Sequence, residues 1–161
     1  MCIRDSSKRE DEAKELVRRV KLILEHLPPF IIRKKDKNLP ENYTGPTWDG
    51  TTTYVAVYHP ESKVPAMFTS FTSSPDSARS FTASLVILDE WAFQMYAQEI
   101  WAAAYPVINR PTGGKVIGIS TARIGGFFKD VWRLAMKGKN NFHPVFLPWF
   151  SDPRRTQAWH C

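Results

Sequence analysis

Ser84-Leu85-Val86-Ile87-Leu88-Asp89-Glu90 is the stretch on which the reading of the fold turns. Its four consecutive apolar residues, with β-branched Val86 and Ile87 in the middle, describe a short strand buried on both faces, as in a parallel sheet. The strand runs straight into two carboxylates, and open α/β sheets hold their ligands at the carboxyl ends of such strands. In nucleotide hydrolases a first acid at this place holds Mg²⁺ through its water shell, and a second orients or deprotonates the attacking water. Asp89 and Glu90 have the residue types for those two tasks. Acids are also favoured in the first turn of a helix, so the heptapeptide alone leaves a structural reading standing beside the chemical one.

Working outward toward the C-terminus, residues 91–105 (WAFQMYAQEIWAAAY) are helical by propensity and broken at Pro106, with Val107 and Ile108 available to extend the helix. The aromatic content of this segment is explained first by packing on the sheet and second by a nucleobase platform. After the turn Asn109-Arg110-Pro111-Thr112-Gly113-Gly114 comes a second buried-type strand, Lys115-Val116-Ile117-Gly118-Ile119-Ser120-Thr121-Ala122, which ends in hydroxyls. The strand-to-strand interval of about 30 residues suits a βαβ unit. If the two strands are parallel neighbours, Ser120 and Thr121 share a sheet edge with Asp89 and Glu90. Their hydroxyls would then meet a γ-phosphate or the attacking water, or else cap the helix that follows Gly125-Gly126. Residues 127–136 form a further amphipathic helix closed by Lys137-Gly138, and residues 145–147 make an edge strand between Pro144 and Pro148.

On the N-terminal side, Ser77-Ala78-Arg79-Ser80 is a small, polar loop just ahead of the first strand. Arg79 is placed there either to meet a phosphate or simply to sit at the surface. Residues 51–58 and 64–72 read as two strands able to pair through Pro60-Glu61-Ser62-Lys63, with His59 structural at the strand end. Residues 33–50 read as a polar surface connection. Its basic cluster of Arg33, Lys34, Lys35 and Lys37 is solvated, or meets DNA or a neighbouring subunit. Apolar residues three and four apart over 10–27 make an amphipathic helix that ends at Pro28-Pro29. Residues 1–6 show neither a cap nor periodicity and read as non-native sequence joined to a fragment.

The 161 residues suffice for one ordinary domain, and 43% hydrophobic content predicts folding rather than disorder. A net charge of +6 favours a phosphate-bearing partner. Cys2 and Cys161 lie at opposite ends without ligand spacing, so neither a zinc site nor a structural disulfide is expected. No apolar run long enough for a membrane span or a signal peptide is present, which makes the soluble cytoplasm the default. No G-x-x-x-x-G-K-[ST] occurs: Gly113-Gly114-Lys115 lacks the following hydroxyl residue and precedes a strand.

Taken in order, the loop Ser77-Ala78-Arg79-Ser80-Phe81-Thr82-Ala83, the run Leu85-Val86-Ile87-Leu88-Asp89-Glu90 with Trp91-Ala92-Phe93, the strand 114–122 and the tail Phe146-Leu147-Pro148-Trp149 resemble the large subunit of tailed-phage terminases, the motors that package DNA into procapsids. The resemblance covers roughly residues 50–155. It implies a partial α/β ATPase fold of the RecA-like P-loop class with a mainly parallel sheet, spanning residues 7–148 without the Walker A segment. Residues 149–161 would lead toward an absent C-terminal nuclease. By the same resemblance Asp89 is the Walker B acid associated with Mg²⁺, and Glu90 is the catalytic glutamate. Ser120, Thr121 and Ala122 match the motif that couples hydrolysis to movement, and Arg79 matches an arginine that reaches a neighbouring subunit's nucleotide. ATP and Mg²⁺ are the implied cofactors. Double-stranded DNA, further copies in a ring, the portal protein and the small terminase subunit are the implied partners, in the host cytoplasm on a procapsid. A helicase-type translocase fragment and a non-catalytic nucleic-acid-binding module are the competing expectations.

Overall fold

The computed structural model describes residues 2–7, 10–73, 83–108 and 113–152, within two compact units, Met1–Arg123 and Ile124–Cys161. The first unit is mixed α/β. Its strands are β1 (Cys2–Ser7), β2 (Arg33–Lys34), β3 (Thr47–Gly50), β4 (Tyr54–Tyr58), β5 (Ala66–Thr72), β6 (Leu85–Leu88) and β7 (Lys115–Gly118), and its helices are α1 (Glu10–His26) and α2 (Ala97–Ile108). They form one sheet in the order β2-β3-β4-β5-β1-β6-β7. Every pairing from β5 through β1 and β6 to β7 is parallel, whereas β3, β4 and β5 pair antiparallel.

The expected hairpin is present: β4 and β5 pair with Val55 opposite Phe68. His59 serves the turn between them, its Nδ1 accepting the Glu61 amide at 3.3 Å and its carbonyl accepting the Ser62 amide at 3.0 Å. Two expectations from the N-terminal third are revised. Cys2–Ser7 is a strand that lies between β5 and β6, with Cys2 opposite Met67 and Ile3 opposite Leu85. A ladder is made by backbone groups, which every residue but proline supplies in full, so no side-chain periodicity announces it. The polar stretch 33–50 contains β2 and β3, because Trp48, only 2% exposed, gives that segment a large apolar group to bury.

The charge-flanked apolar stripe of α1 is buried across β4 and β5. Val17 meets Ile32, Trp48 and Val55, with Val20, Leu24, Leu27, Val57 and Phe68 packed around them. On its outer surface Glu15 accepts from Arg18 Nε at 2.6 Å and from Arg19 Nε at 3.1 Å. These bonds hold its carboxyl down at about 2.

The segment after Glu90 differs from a single helix. Trp91–Phe93 is a 3-10 turn, and α2 begins only at Ala97. Pro106 lies inside α2, which continues to Ile108. A proline so near the C-terminal end forfeits one backbone bond in the last turns instead of splitting the helix. Ala97, Ile100 and Ala104 form the buried stripe of α2, which packs on β6 and β7.

In the second unit, α3 (Phe127–Met136) has the expected bounds. It closes on Gly138 at φ 63, with Gly138 N–H donating to the Ala135 carbonyl at 2.9 Å and Lys139 N–H to the Leu134 carbonyl at 2.8 Å. This is the double bond pattern of a left-handed glycine terminator. Residues 145–147 form no strand: Pro144 and Pro148 remove the amides a ladder would need on either side, and Val145, Phe146 and Leu147 stay exposed.

Candidate active site

Because β6 and β7 run parallel with Leu88 opposite Gly118, the two chains leave the sheet side by side. Backbone bonds carry the pairing past the strands: Ile119 N–H donates to the Leu88 carbonyl at 2.9 Å, and Trp91 N–H donates to the Ile119 carbonyl at 3.1 Å. Asp89 and Glu90 lie between these bonds. They therefore sit at the carboxyl rim of the parallel strands, where such sheets present ligand-binding residues.

The turn that carries the acids is strained and firmly anchored. Glu90 has φ 50 and ψ 35, the left-handed region, which costs a residue with a Cβ roughly 1–2 kcal/mol. Its amide is satisfied by the Asp89 carboxylate, Oδ1 accepting at 2.9 Å. The Asp89 carbonyl accepts from Gln94 Nε2 at 2.7 Å. Trp91 fixes the turn to the core. It is 1% exposed, its Nε1 donates to the Ala97 carbonyl at 3.4 Å, and its ring lies 5.7 Å from that of Trp101. Gly118 makes room for it: a Cβ at that position would lie 2.4 Å from Trp91 Cε3.

Ser120 meets this turn directly, its Oγ accepting the Ala92 amide at 3.0 Å. A hydroxyl that accepts one bond still has its own proton to donate. Asp89, Glu90 and Thr121 are solvent-exposed, as a site open to a soluble ligand requires. The rim thus combines two accessible carboxylates with two hydroxyl residues on an adjoining, hydrogen-bonded segment.

No family model matches the sequence. The structure is similar to that of the large terminase ATPase domain of Thermus phage P74-26, with a TM-score of 0.56 and 21% identity over 81% of this chain and 51% of that one. An arginine-to-alanine variant of the same domain matches with a TM-score of 0.58 and 20% identity over 81% of this chain and 52% of that one. The chain has the fold of a tailed-phage large terminase ATPase domain. It spans about half the length of the two terminase domains that it matches.

Within this terminase-type fold, Asp89, Glu90, Ser120 and Thr121 come together on one rim, and Arg79 lies outside the described residues, as does the turn 109–112. Arg123 joins the group without having been singled out from the sequence. Its Nη1 donates to the Ala92 carbonyl at 3.2 Å, and its guanidinium carbon stands 5.3 Å from the Phe93 ring centre. The only signal for it was position, three residues beyond Ser120 on the chain leaving β7.

The donor chemistry suits a magnesium nucleotide. Mg²⁺ keeps several of its waters and takes one or two carboxylates together with phosphate oxygens, and Asp89 with Glu90 offers that set. Among the described residues no three or more His, Cys, Asp or Glu converge as an all-protein cage. Three cations of the basic cluster rest beside aromatic rings. Arg33 lies over Tyr43 at 5.2 Å, Lys34 over Trp48 at 5.5 Å and Lys35 over Tyr58 at 4.7 Å, and Lys34 also pairs with Glu25 at 3.7 Å. These contacts lie along the β2–β4 end of the sheet, with the Lys34 side chain still 53% exposed. No described helix is long and apolar enough to cross a membrane.

Proposed function

We propose that this chain is part of a tailed-phage terminase motor of the RecA-like P-loop class, hydrolysing ATP to drive double-stranded DNA into procapsids. The observation that carries the reading is the bonded exit of β6 and β7, which gathers Asp89, Glu90 and Ser120 on one rim. On this reading the ATPase domain takes in β1 together with residues 7–148, and residues 149–161 lead toward a nuclease. The phosphate-binding loop comes from sequence outside these 161 residues. In support, β7 ends the described sheet with Ile117 46% and neighbouring Ile119 52% exposed, an apolar edge of the kind a further strand covers.

Asp89 would hold Mg²⁺ through its water shell, and Glu90 accepts the proton of the attacking water as the new bond to phosphorus forms and the bond from phosphorus to the leaving diphosphate breaks. Bound there, Mg²⁺ would supply Lewis-acid neutralisation of the charge that builds up on the phosphates. Glu90 is suited to a base by its placement on a fixed turn, since holding base and water in line removes an entropic part of the barrier. Ser120 and Thr121 report the state of the nucleotide to the segment leaving β7, with Ser120 donating its hydroxyl proton toward the phosphate while it holds Ala92. Arg79 supplies a guanidinium to a neighbouring subunit's phosphate, where its fork matches the developing charge. Other copies in a ring, the portal protein and the small terminase subunit are the partners, on a procapsid in the host cytoplasm.

The test is ATP turnover and ATP binding in the full-length polypeptide that carries this sequence. Glu90→Gln should abolish DNA-stimulated turnover and leave nucleotide affinity near that of the parent. Undiminished turnover in that variant would remove Glu90 as the base.

A further inference from the structure

We propose that Arg123 is a positioning residue for Glu90, acting through the backbone of Ala92. The inference rests on the hydrolytic reading of the site for its functional consequence, and on geometry alone for its structural part. Ala92 is buried at 8% exposure, and both of its backbone groups are taken by the segment leaving β7: the amide by Ser120 Oγ at 3.0 Å, the carbonyl by Arg123 Nη1 at 3.2 Å. Trp91 N–H is bound to the same segment through the Ile119 carbonyl. Three successive bonds therefore stitch residues 91–92 to residues 119–123.

Glu90 is the residue immediately before this seam, and it is the one described non-glycine residue with a positive φ. Such a conformation persists only where its surroundings over-determine it. On one side Glu90 is held by β6 through Asp89, and on the other by the seam. Arg123 is the charged member of the seam, and bonds from charged donors are stronger than neutral ones. Its guanidinium also rests on the Phe93 ring in the same 3-10 turn, so one side chain holds two adjacent residues of that turn. A shift of the β7 exit reaches the Glu90 turn through this seam, of which Arg123 and Ser120 are the side-chain members. Residues 120–123 are in this way a two-way link between the acid and whatever moves the β7 exit.

The test uses Arg123→Met and Arg123→Lys in the full-length polypeptide, with two readouts. In steady-state hydrolysis, Arg123→Met should lower kcat about tenfold, the worth of one hydrogen bond from a charged donor, with KM for ATP within about twofold. Arg123→Lys, which can still donate to the Ala92 carbonyl and sit on Phe93, should recover most of that loss. A general loss of fold would move KM or Tm and would not be rescued by Lys. In native-state amide exchange, Arg123→Met should speed the Trp91 and Ala92 amides about tenfold and leave Val86 and Val116 in the strands unchanged. Unchanged exchange at Trp91 and Ala92 would overturn the positioning role whatever the enzyme does. Faster exchange with unaltered kcat would overturn its link to hydrolysis, and Glu90→Gln then shows separately whether the hydrolytic reading itself has failed.

Discussion

Gly118→Ala puts one methyl group where the structure has no room for it. The new Cβ would lie 2.4 Å from Trp91 Cε3 and 2.8 Å from Cζ3, against the roughly 3.5–4.0 Å at which carbon atoms rest. One partner must therefore move by about 1 Å. Trp91 has nowhere to go: it is 1% exposed, its indole N–H is bound to the Ala97 carbonyl, and Trp101 stands against it. Gly118 is fixed by its ladder to Leu88. Overpacking of this kind costs about 1–3 kcal/mol. At a urea slope of about 2 kcal/mol per molar, that lowers the midpoint by on the order of 1 M with the slope unchanged. Urea unfolding followed by tryptophan fluorescence measures it. Trp91→Leu should relieve the clash, so that adding Gly118→Ala to that variant costs much less than adding it to the parent. A midpoint within about 0.2 M of the parent would mean that the Trp91 ring does not lie over Gly118.

Other outcomes follow from the same packing and charges. Trp48→Ala empties the centre of the cluster around α1 and should cost about 3–5 kcal/mol in the same assay. Glu15 is held at about 2, below its ordinary 4.5, by bonds from Arg18 and then Arg19. A depressed carboxyl stabilises above its unfolded value and loses that contribution as pH falls from about 4.5 toward 2. Glu15→Gln should therefore flatten the dependence of stability on pH in that window, a comparison made by urea titration at successive pH values.

Much of the fold was legible because its strongest signals are local. The helical period of α1, the bounds of α3 with its Gly138 terminator, and the apolar run of β6 each carry their structure in a few adjacent residues. The β4–β5 hairpin announced itself through its turn residues. Apart from residues 145–147, where the flanking prolines decided locally, the misses share a cause, which is that the deciding interaction came from elsewhere in the chain. β1 is held by backbone ladders to β5 and β6, β3 by burial of one tryptophan, and the helix after Glu90 is delayed because Trp91 is drawn into the core.

The same distinction applies to the rim. The adjacency of the two strand ends could be inferred from two apolar runs that stop in polar residues. The bonds from Ser120 and Arg123 to Ala92 span 28 and 31 positions, and no local pattern encodes them. The left-handed turn at Glu90 was also hidden, because it depends on those distant bonds and not on a glycine.

The claim on which the account rests is that the carboxyl ends of β6 and β7 form one site for a metal-bound nucleotide. Substituting Mn²⁺ for Mg²⁺ alongside a non-hydrolysable ATP analogue, and following paramagnetic broadening of backbone amides in the full-length polypeptide, tests this most directly. Asp89, Glu90, Ala92 and Thr121 should broaden first, and Asp89→Asn should sharply reduce the effect. Broadening centred on Glu25 and Asp36 near the basic cluster, or broadening indifferent to Asp89→Asn, would contradict a site there.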